Sequence, residues 1–240
     1  MKPYIFLSNN YLKTTVDENA AALDIRELSA LTPYEQTIYF TDRYGNVVER
    51  EIDTLILRNT NIVNMTVEVV TQESESESGS ESGEGTALFT LSGNTESDVF
   101  LKAAEPITAS CIRISISDDG ENPATVTAKI GVYGFLCNLW ALTDSNYKID
   151  ANEGAYRVIS GAYIHWADYK KWFAKLSIEN LPQEQFYLLT AQADTGEMTV
   201  IPYQDLAFEE VYECAVKRQY SYELNRKTAL FSLELEFNEL

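Results

Sequence analysis

The sequence has few of the residues that carry reactive chemistry. Among its 240 residues there is a single histidine, His165. One histidine excludes a metal site built on two histidines and leaves a nucleophile without the usual base. No phosphate-binding glycine loop, nucleophile elbow or pair of catalytic carboxylates stands out. We therefore expect no catalytic residue, no cofactor and no metal, and a hydrolase would need a catalytic pair that the sequence does not display.

Cysteine is scarce too, with only Cys111, Cys137 and Cys214. Their odd number and wide spacing do not match a disulfide framework or a C-x-x-C zinc motif. Since free cysteine behaves as a small apolar side chain, we expect three buried thiols.

The chain also has few positively charged residues. The chain has 18 Lys and Arg against 37 Asp and Glu, which gives a formal net charge of −19. A protein that follows phosphates needs a basic surface, so nucleic acid and anionic membranes are disfavoured as partners. No apolar run is long enough for a signal peptide or a membrane span. We expect a chain that is made in a cytoplasm and either stays or is assembled there.

Short runs of alternating apolar and polar residues are abundant, and this period of two predicts strands with one wet face. Turn signals separate the runs, which indicates an antiparallel sandwich or barrel. The clearest apolar faces are Ile112, Ile114 and Ile116; Val126, Ala128, Ile130 and Val132; and Met65, Val67 and Val69.

A tract of only Glu, Ser and Gly covers residues 73–85. Strand patterns of one style flank it, and the tract itself has no apolar residue to bury. We interpret it as a disordered acidic loop inside a first domain at 1–139, with a solvated spacer favoured over an acidic docking arm. The domain boundary is expected within Asn138 to Ala151.

Residues 151–240 predict a second domain ordered as strand, strand, helix, strand, strand, strand. Pro182 suits a first helical turn, and Gly196 suits a helix end. Between them the apolar spacing predicts a helix at about 182–193. The run 211–224 predicts one long strand. The chain is therefore expected to be mainly β, with a small C-terminal barrel that carries one packed helix.

Two groups of side chains are candidates for binding. Asp118, Asp119 and Glu121 carry oxygens that suit calcium, although Asp-Asp-Gly between two strands favours an ordinary hairpin turn. Tyr220, Tyr222 and Trp166 are candidate interface residues that could also stack on sugars. The alternative that we favour for these aromatics is that they cover the core of the small barrel. His165, among aromatics, is expected to be structural.

Two segments resemble proteins of tailed bacteriophages. IDTLILRNTNIVNMTVEVV and PITASCIRISISDDGENPATVTAKIGVYGF resemble strands of discoidin-like (galactose-binding-like, jelly-roll) sandwiches in phage structural proteins. The segment from Lys170 to Leu224 is similar to the tube-like barrel of distal tail and minor tail proteins. The resemblance implies an N-terminal sandwich joined to a tail-tube-like barrel, and it supplies no functional residue.

From this resemblance we expect a structural component of a phage or phage-derived virion tail, located in the virion after assembly in the host cytoplasm. It would form or decorate a homo-oligomeric ring at the tail tip or elsewhere in the tail and dock other tail proteins. The alternative is a carbohydrate- or receptor-binding module that acts through the sandwich loops on a host surface glycan.

Overall fold

The structure is a computed structural model. It describes residues 3–17, 19–70, 85–117, 123–140, 146–157, 163–202, 211–217 and 219–240, with the backbone alone for 146–157 and 163–170.

Antiparallel strands dominate the described chain, together with one α-helix and a short 3-10 helix at Tyr11–Lys13. The first strands are β1 (Tyr4–Leu7), β2 (Thr15–Val16), β3 (Ala22–Leu23), β4 (Glu27–Leu31), β5 (Tyr34–Phe40), β6 (Arg50–Arg58), β7 (Asn64–Val70), β8 (Gly85–Leu91), β9 (Val99–Ala109), β10 (Cys111–Ser117) and β11 (Thr125–Tyr133). The remaining elements are β12 (Phe135–Leu139), β13 (Asn146–Arg157), β14 (Tyr163–Leu181), α1 (Gln183–Thr195), β15 (Glu197–Ile201), β16 (Tyr212–Val216), β17 (Ser221–Asn225) and β18 (Leu230–Glu239).

The chain divides into two compact units whose bounds differ from the predicted domains. The described residues within 10–135 form one, the sandwich unit, and those before and after them form the other, the sheet unit. The predicted first domain, 1–139, is corrected at its start because β1 pairs with β15, with Ile5 opposite Ile201. At its end, β12 lies beside β1 in the same sheet. The sandwich unit is thus inserted between two neighbouring strands of the sheet unit.

The sandwich unit consists of a six-stranded sheet in the order β3-β2-β5-β10-β7-β8 and a four-stranded sheet in the order β4-β11-β6-β9. Inward side chains of both sheets share one apolar core. All three predicted apolar faces are confirmed: each of their side chains is buried, while Thr127 and Lys129 on the other face of β11 are exposed. The period-2 pattern identified these faces because one side of each strand packs on the core.

The predicted hairpin around the Glu/Ser/Gly tract is confirmed. β7 and β8 are antiparallel neighbours, with Val70 opposite Gly85. Residues 71–84 between them lie outside the described residues. The tract therefore joins two strands of one sheet, and it is not a linker between domains.

The exit of the chain from the sandwich unit lies beside its entry. Phe135 donates its backbone N–H to the buried Asp53 carboxylate at 2.7 Å. A Cβ on Gly134 would lie 2.9 Å from the Glu51 carbonyl oxygen and 3.0 Å from the Tyr11 hydroxyl. Only glycine fits this close approach, which fixes the two connections next to each other.

The sheet unit is an eight-stranded antiparallel sheet in the order β12-β1-β15-β16-β18-β14-β13, with β17 paired to β18 beside this path. Its core includes one face of β14, formed by Trp172, Ala174, Leu176 and Ile178, and all four side chains are buried. The pairings of the described strands form an open path from β12 to β13. Closure into a barrel stays a prediction.

The helix is confirmed and extends slightly further than the predicted range 182–193. Pro182 is its N-cap residue, and Gly196 ends it in the left-handed conformation, with φ 90° and its N–H bonded to the Ala193 carbonyl. Its buried residues are Phe186, Leu189, Thr190 and Ala193, which recur at i, i+3, i+4 and i+7. The helix therefore packs on the sheet through the face that the spacing indicated.

One strand prediction is wrong. The run 211–224 forms two strands, β16 and β17, which lie on the same side of β18. Val216 is opposite Phe237, and Ser221 is opposite Glu234. Between these two pairs the chain from β16 to β17 advances by five residues, whereas β18 advances by only three. The extra residues break the ladder, and the apolar alternation alone could not show this because it continues across the break.

Hydrogen exchange tests the insertion. Phe6 is fully buried in the sheet unit against Tyr4 and Phe237. We expect Phe6→Ala to reduce the stability of that unit by about 3–5 kcal/mol and to speed amide exchange in β15, β16 and β18.

As a matched control, Ile114→Ala in the sandwich unit should speed exchange in β5, β7 and β10 instead. Faster exchange in those sandwich strands on Phe6→Ala would show that β1 belongs to the domain first expected.

Candidate functional site

The structure places the three predicted interface residues differently. Tyr222 lies in β17 with 58% of its surface exposed. Tyr220 precedes that strand and packs partly buried against the core of the sheet unit. The backbone of Trp166 pairs with Gly154 between β14 and β13, and its side chain lies outside the described residues. Tyr220 and Tyr222 are thus brought to the same rim of the sheet.

An aromatic surface surrounds Tyr222. Its ring lies 5.2 Å from that of Phe186, and the ring of Tyr187 lies 5.6 Å from the same phenylalanine. Phe186 in turn stacks on Phe231 at 4.1 Å. Tyr187 and Leu224 are about half exposed, like Tyr222. We call Tyr187, Tyr222 and Leu224 the tyrosine surface; its inner side rests on the apolar core and its outer side meets solvent.

Tyr220 is held at the edge of this surface by α1. Its hydroxyl donates a hydrogen bond to Asp194 at 3.3 Å. Partial burial and then the neighbouring Asp194 carboxylate raise the pKa of Tyr220, since both disfavour a phenolate. Tyr220 therefore stays a neutral donor that orients the chain leading into β17.

The described sheet has an open edge strand at each end, the short β12 and the long β13. β13 pairs with β14 alone, and β12 stands at the opposite end of the sheet. β14 pairs with β18 only from Phe173 onward, so residues 163–172 have β13 as their one described neighbour. We call this two-stranded extension of β13 and β14 the ribbon. An unpaired edge exposes a row of backbone donors and acceptors that can pair with another chain.

A turn between β5 and β6 presents Tyr44, which the sequence reasoning missed. The Asp42 carboxylate accepts hydrogen bonds from the backbone N–H groups of Tyr44 at 2.8 Å and Asn46 at 3.0 Å, and Gly45 takes φ 85°. The side-chain hydrogen bond from Asn46 lowers the pKa of Asp42. Tyr44 is 72% exposed, with the Arg43 guanidinium 4.7 Å from its ring centre. The sequence Asp-Arg-Tyr-Gly-Asn predicts the turn, but it does not predict that the Tyr44 side chain is exposed.

The prediction of buried thiols is confirmed. Cys111, Cys137 and Cys214 are all free and buried. Burial raises the pKa of each thiol, that of Cys137 to about 12. Because the thiolate is the reactive form, these cysteines are packing residues rather than nucleophiles.

Metal-ligating side chains do not cluster in the part of the chain that the structure describes, where no three of His, Cys, Asp and Glu could hold an ion. The predicted calcium candidates Asp118, Asp119 and Glu121 lie outside the described residues, as does the side chain of His165. No helix among the described residues is long and apolar enough to cross a membrane.

Comparisons with known proteins give little. No protein-family profile matches the chain, and no curated protein sequence matches it. A similar solved structure is the family 32 carbohydrate-binding module of Streptococcus pneumoniae EndoD. The two are 14% identical, the match covers 45% of this chain and 75% of the module, and the TM-score is 0.33. At that score the likeness supports no argument about ligand or activity.

The buried Cys137 thiol predicts a specific dependence of stability on pH. A folded-state pKa above the ordinary 9.0 means that the Cys137 thiol stabilises the fold below about pH 9 and that this contribution disappears as pH rises towards about 12. The difference in unfolding free energy between the wild type and Cys137→Ala should therefore shrink over that range. Denaturant titrations at a series of pH values measure it, and a constant difference would contradict a buried neutral thiol.

Proposed function

We propose that the chain is a structural component of the tail of a phage or phage-derived virion, and that copies assemble through the sheet unit. In this proposal the sheet unit corresponds to a tail-tube-like barrel and the sandwich unit to a galactose-binding-like module that docks neighbouring tail proteins. The observation that carries the proposal is the ribbon, together with the open edges of the sheet.

The ribbon is long for an element without further support. Ten residues of β14 beyond the last β18 pair span about 30 Å at the usual rise of a strand. A two-stranded ribbon is marginally stable by itself in water, and a third strand or a packed surface stabilises it. A neighbouring subunit supplies both.

The two edges favour head-to-tail association. β12 and β13 are different strands, so pairing the β13 edge of one copy with the β12 edge of the next continues the sheet through a heterologous contact. Such contacts form a ring when the rotation between copies closes. Backbone hydrogen bonds would carry the contact, which is the usual mode of strand addition.

Charge opposes this association at low salt. Copies with a net charge of −19 repel one another, and the repulsion is screened over about 8 Å at physiological ionic strength. Assembly should therefore strengthen as salt rises from low values, the opposite of what an assembly held by surface ion pairs would show.

Shortening the ribbon tests the proposal. Replacing residues 153–168 with Asn-Gly keeps the pairs from Asn146 with Lys175 to Asn152 with Tyr169 and closes them with a two-residue turn. We expect the full chain to form a closed oligomer and the variant to associate at least about a hundredfold more weakly, or about 3 kcal/mol. Native mass spectrometry over a concentration and salt series measures both.

The matched control replaces residues 71–84 with Asn-Gly between the paired Val70 and Gly85. It should assemble like the wild type, because the tract is interpreted as a spacer. A wild type that stays monomeric, or a shortened ribbon that assembles equally well, contradicts assembly through the ribbon.

A second candidate function is glycan binding by the sandwich unit, and Tyr44 is the observation that favours it. An exposed aromatic ring on a turn fixed by internal hydrogen bonds can stack on a sugar without further ordering. Trp140, Trp166 and Trp172 all belong to the sheet unit, so tryptophan fluorescence is poorly placed to report on this turn.

Calorimetric titration with a panel of host surface glycans tests this candidate. Tyr44→Ala should weaken binding about tenfold, and Tyr44→Phe should retain it because the ring remains. Tyr187→Ala, in the other unit, is the control. Absence of binding across the panel, or unchanged binding by Tyr44→Ala, would remove the glycan function.

A further inference from the structure

β17 is a third open edge, separate from the two that end the sheet. It pairs with β18 on one side, and no described strand lies on its other side. All five of its residues are exposed. Its free edge therefore offers backbone N–H and C=O groups to an added strand.

One face of β17 carries apolar side chains that adjoin the core of the sheet unit but are exposed to solvent. Tyr222 lies opposite Leu233 of β18, and Leu224 lies opposite Phe231, so both tyrosine-surface residues share the side of the sheet that faces α1. Yet Tyr222 is 58% exposed and Leu224 48%. The helix covers the core beside them without covering these two side chains.

The flank of α1 forms the other wall of this exposed face. Tyr187 is one position beyond the buried Phe186, which a helix turns by about 100° towards its side. Its ring contacts the Phe186 ring, as that of Tyr222 does. An added strand would place alternate side chains against Tyr187, Tyr222 and Leu224.

The tip of the β17–β18 hairpin is positive, in contrast to the rest of this acidic chain. Arg226 and Lys227 are both exposed and adjacent, and neither makes an ion pair with any described residue. By comparison, Lys175 of β14 and Lys217, which directly follows β16, bind Glu234 and Glu236 of β18 at 3.0 and 3.2 Å. The uncompensated pair favours a partner with carboxylates.

We propose that β17 binds an extended, acidic strand of a partner protein by strand addition. The partner strand has apolar side chains at alternate positions, which cover the tyrosine surface, and carboxylates at the end that lies over Arg226 and Lys227. β18 shows the same apolar alternation on the occupied side of β17, where Leu233 and Phe231 lie opposite Tyr222 and Leu224 and the uncharged Ser232 lies opposite Glu223.

A second copy of β17 fits this edge poorly. Antiparallel self-pairing centred on Glu223 would set two Glu223 side chains directly opposite each other, and like charges in that position are destabilising. The occupant is therefore assigned to a different strand, which carries its carboxylates only at the end near Arg226 and Lys227 and an uncharged residue opposite Glu223. This site does not depend on ring assembly through the ribbon.

The test uses a synthetic peptide, EETLSVT, as the probe. In antiparallel register its Leu and Val face Leu224 and Tyr222, an uncharged Ser lies opposite Glu223, and the two Glu residues lie over Arg226 and Lys227. Fluorescence anisotropy should show saturable binding to the full chain, and a peptide with both Glu residues replaced by Lys should bind at least about tenfold more weakly. Arg226→Glu combined with Lys227→Glu, and separately Tyr222→Ala, should each weaken binding by about the same factor. Lys129→Glu and Leu188→Ala serve as exposed control substitutions elsewhere.

Hydrogen exchange identifies the mode of binding. Strand addition predicts that the amides of β17 gain protection while those of β14 and β18 keep theirs. Loss of protection in β14 would show exchange of the peptide for β18 and would overturn the proposal. So would absence of saturable binding, equal binding by the charge-reversed variant, or self-association of the chain through β17. Failure here leaves the ribbon experiments unaffected, and the converse also holds.

Discussion

The rest of the account depends on the unpaired backbone groups at the edges of an open antiparallel sheet. Each edge strand carries donors and acceptors that water satisfies only while no other strand is present. The sheet unit has such edges at β12, at β13 and at β17, and none of these three has a second described neighbour. The sandwich unit handles one of its edges differently: β9 carries Pro106, which cannot donate to an added strand.

The insertion of one unit into the other follows from the same pairing. β1 has to be retained by the sheet unit because it separates β12 from β15 and fills the sheet between them. The sandwich unit is tolerated between β1 and β12 because its own entry and exit lie together, beside Tyr11 and Gly134. The apolar residues of β1 are fully or nearly fully buried, so losing this short strand would expose core side chains and separate β12 from the rest of the sheet.

Local patterns could be read from the sequence, and long-range pairings could not. Alternation located β7, β10 and β11 because one face of each strand packs on a core. Pro182 and Gly196 located the two ends of the helix because each affects the backbone conformation only of its own part of the chain. The pairing of Ile5 with Ile201 has no local signature, so the domain boundary was misplaced. The break between β16 and β17 depends on how each strand is aligned with β18, which no local pattern shows. The exposure of Tyr44 and Tyr187 depends on whether distant parts of the chain cover them, and none of the described residues does so fully.

In both proposed modes of association, through the ribbon and through β17, the chain is part of a larger structure. The most direct measurement is quantitative mass spectrometry of particles banded from a lysate of the source organism. The account predicts that the chain is present in the particles at a small, fixed number of copies that matches the symmetry of a ring. Absence of the chain from purified particles would contradict the virion proposal and would move glycan binding by the sandwich unit to first place.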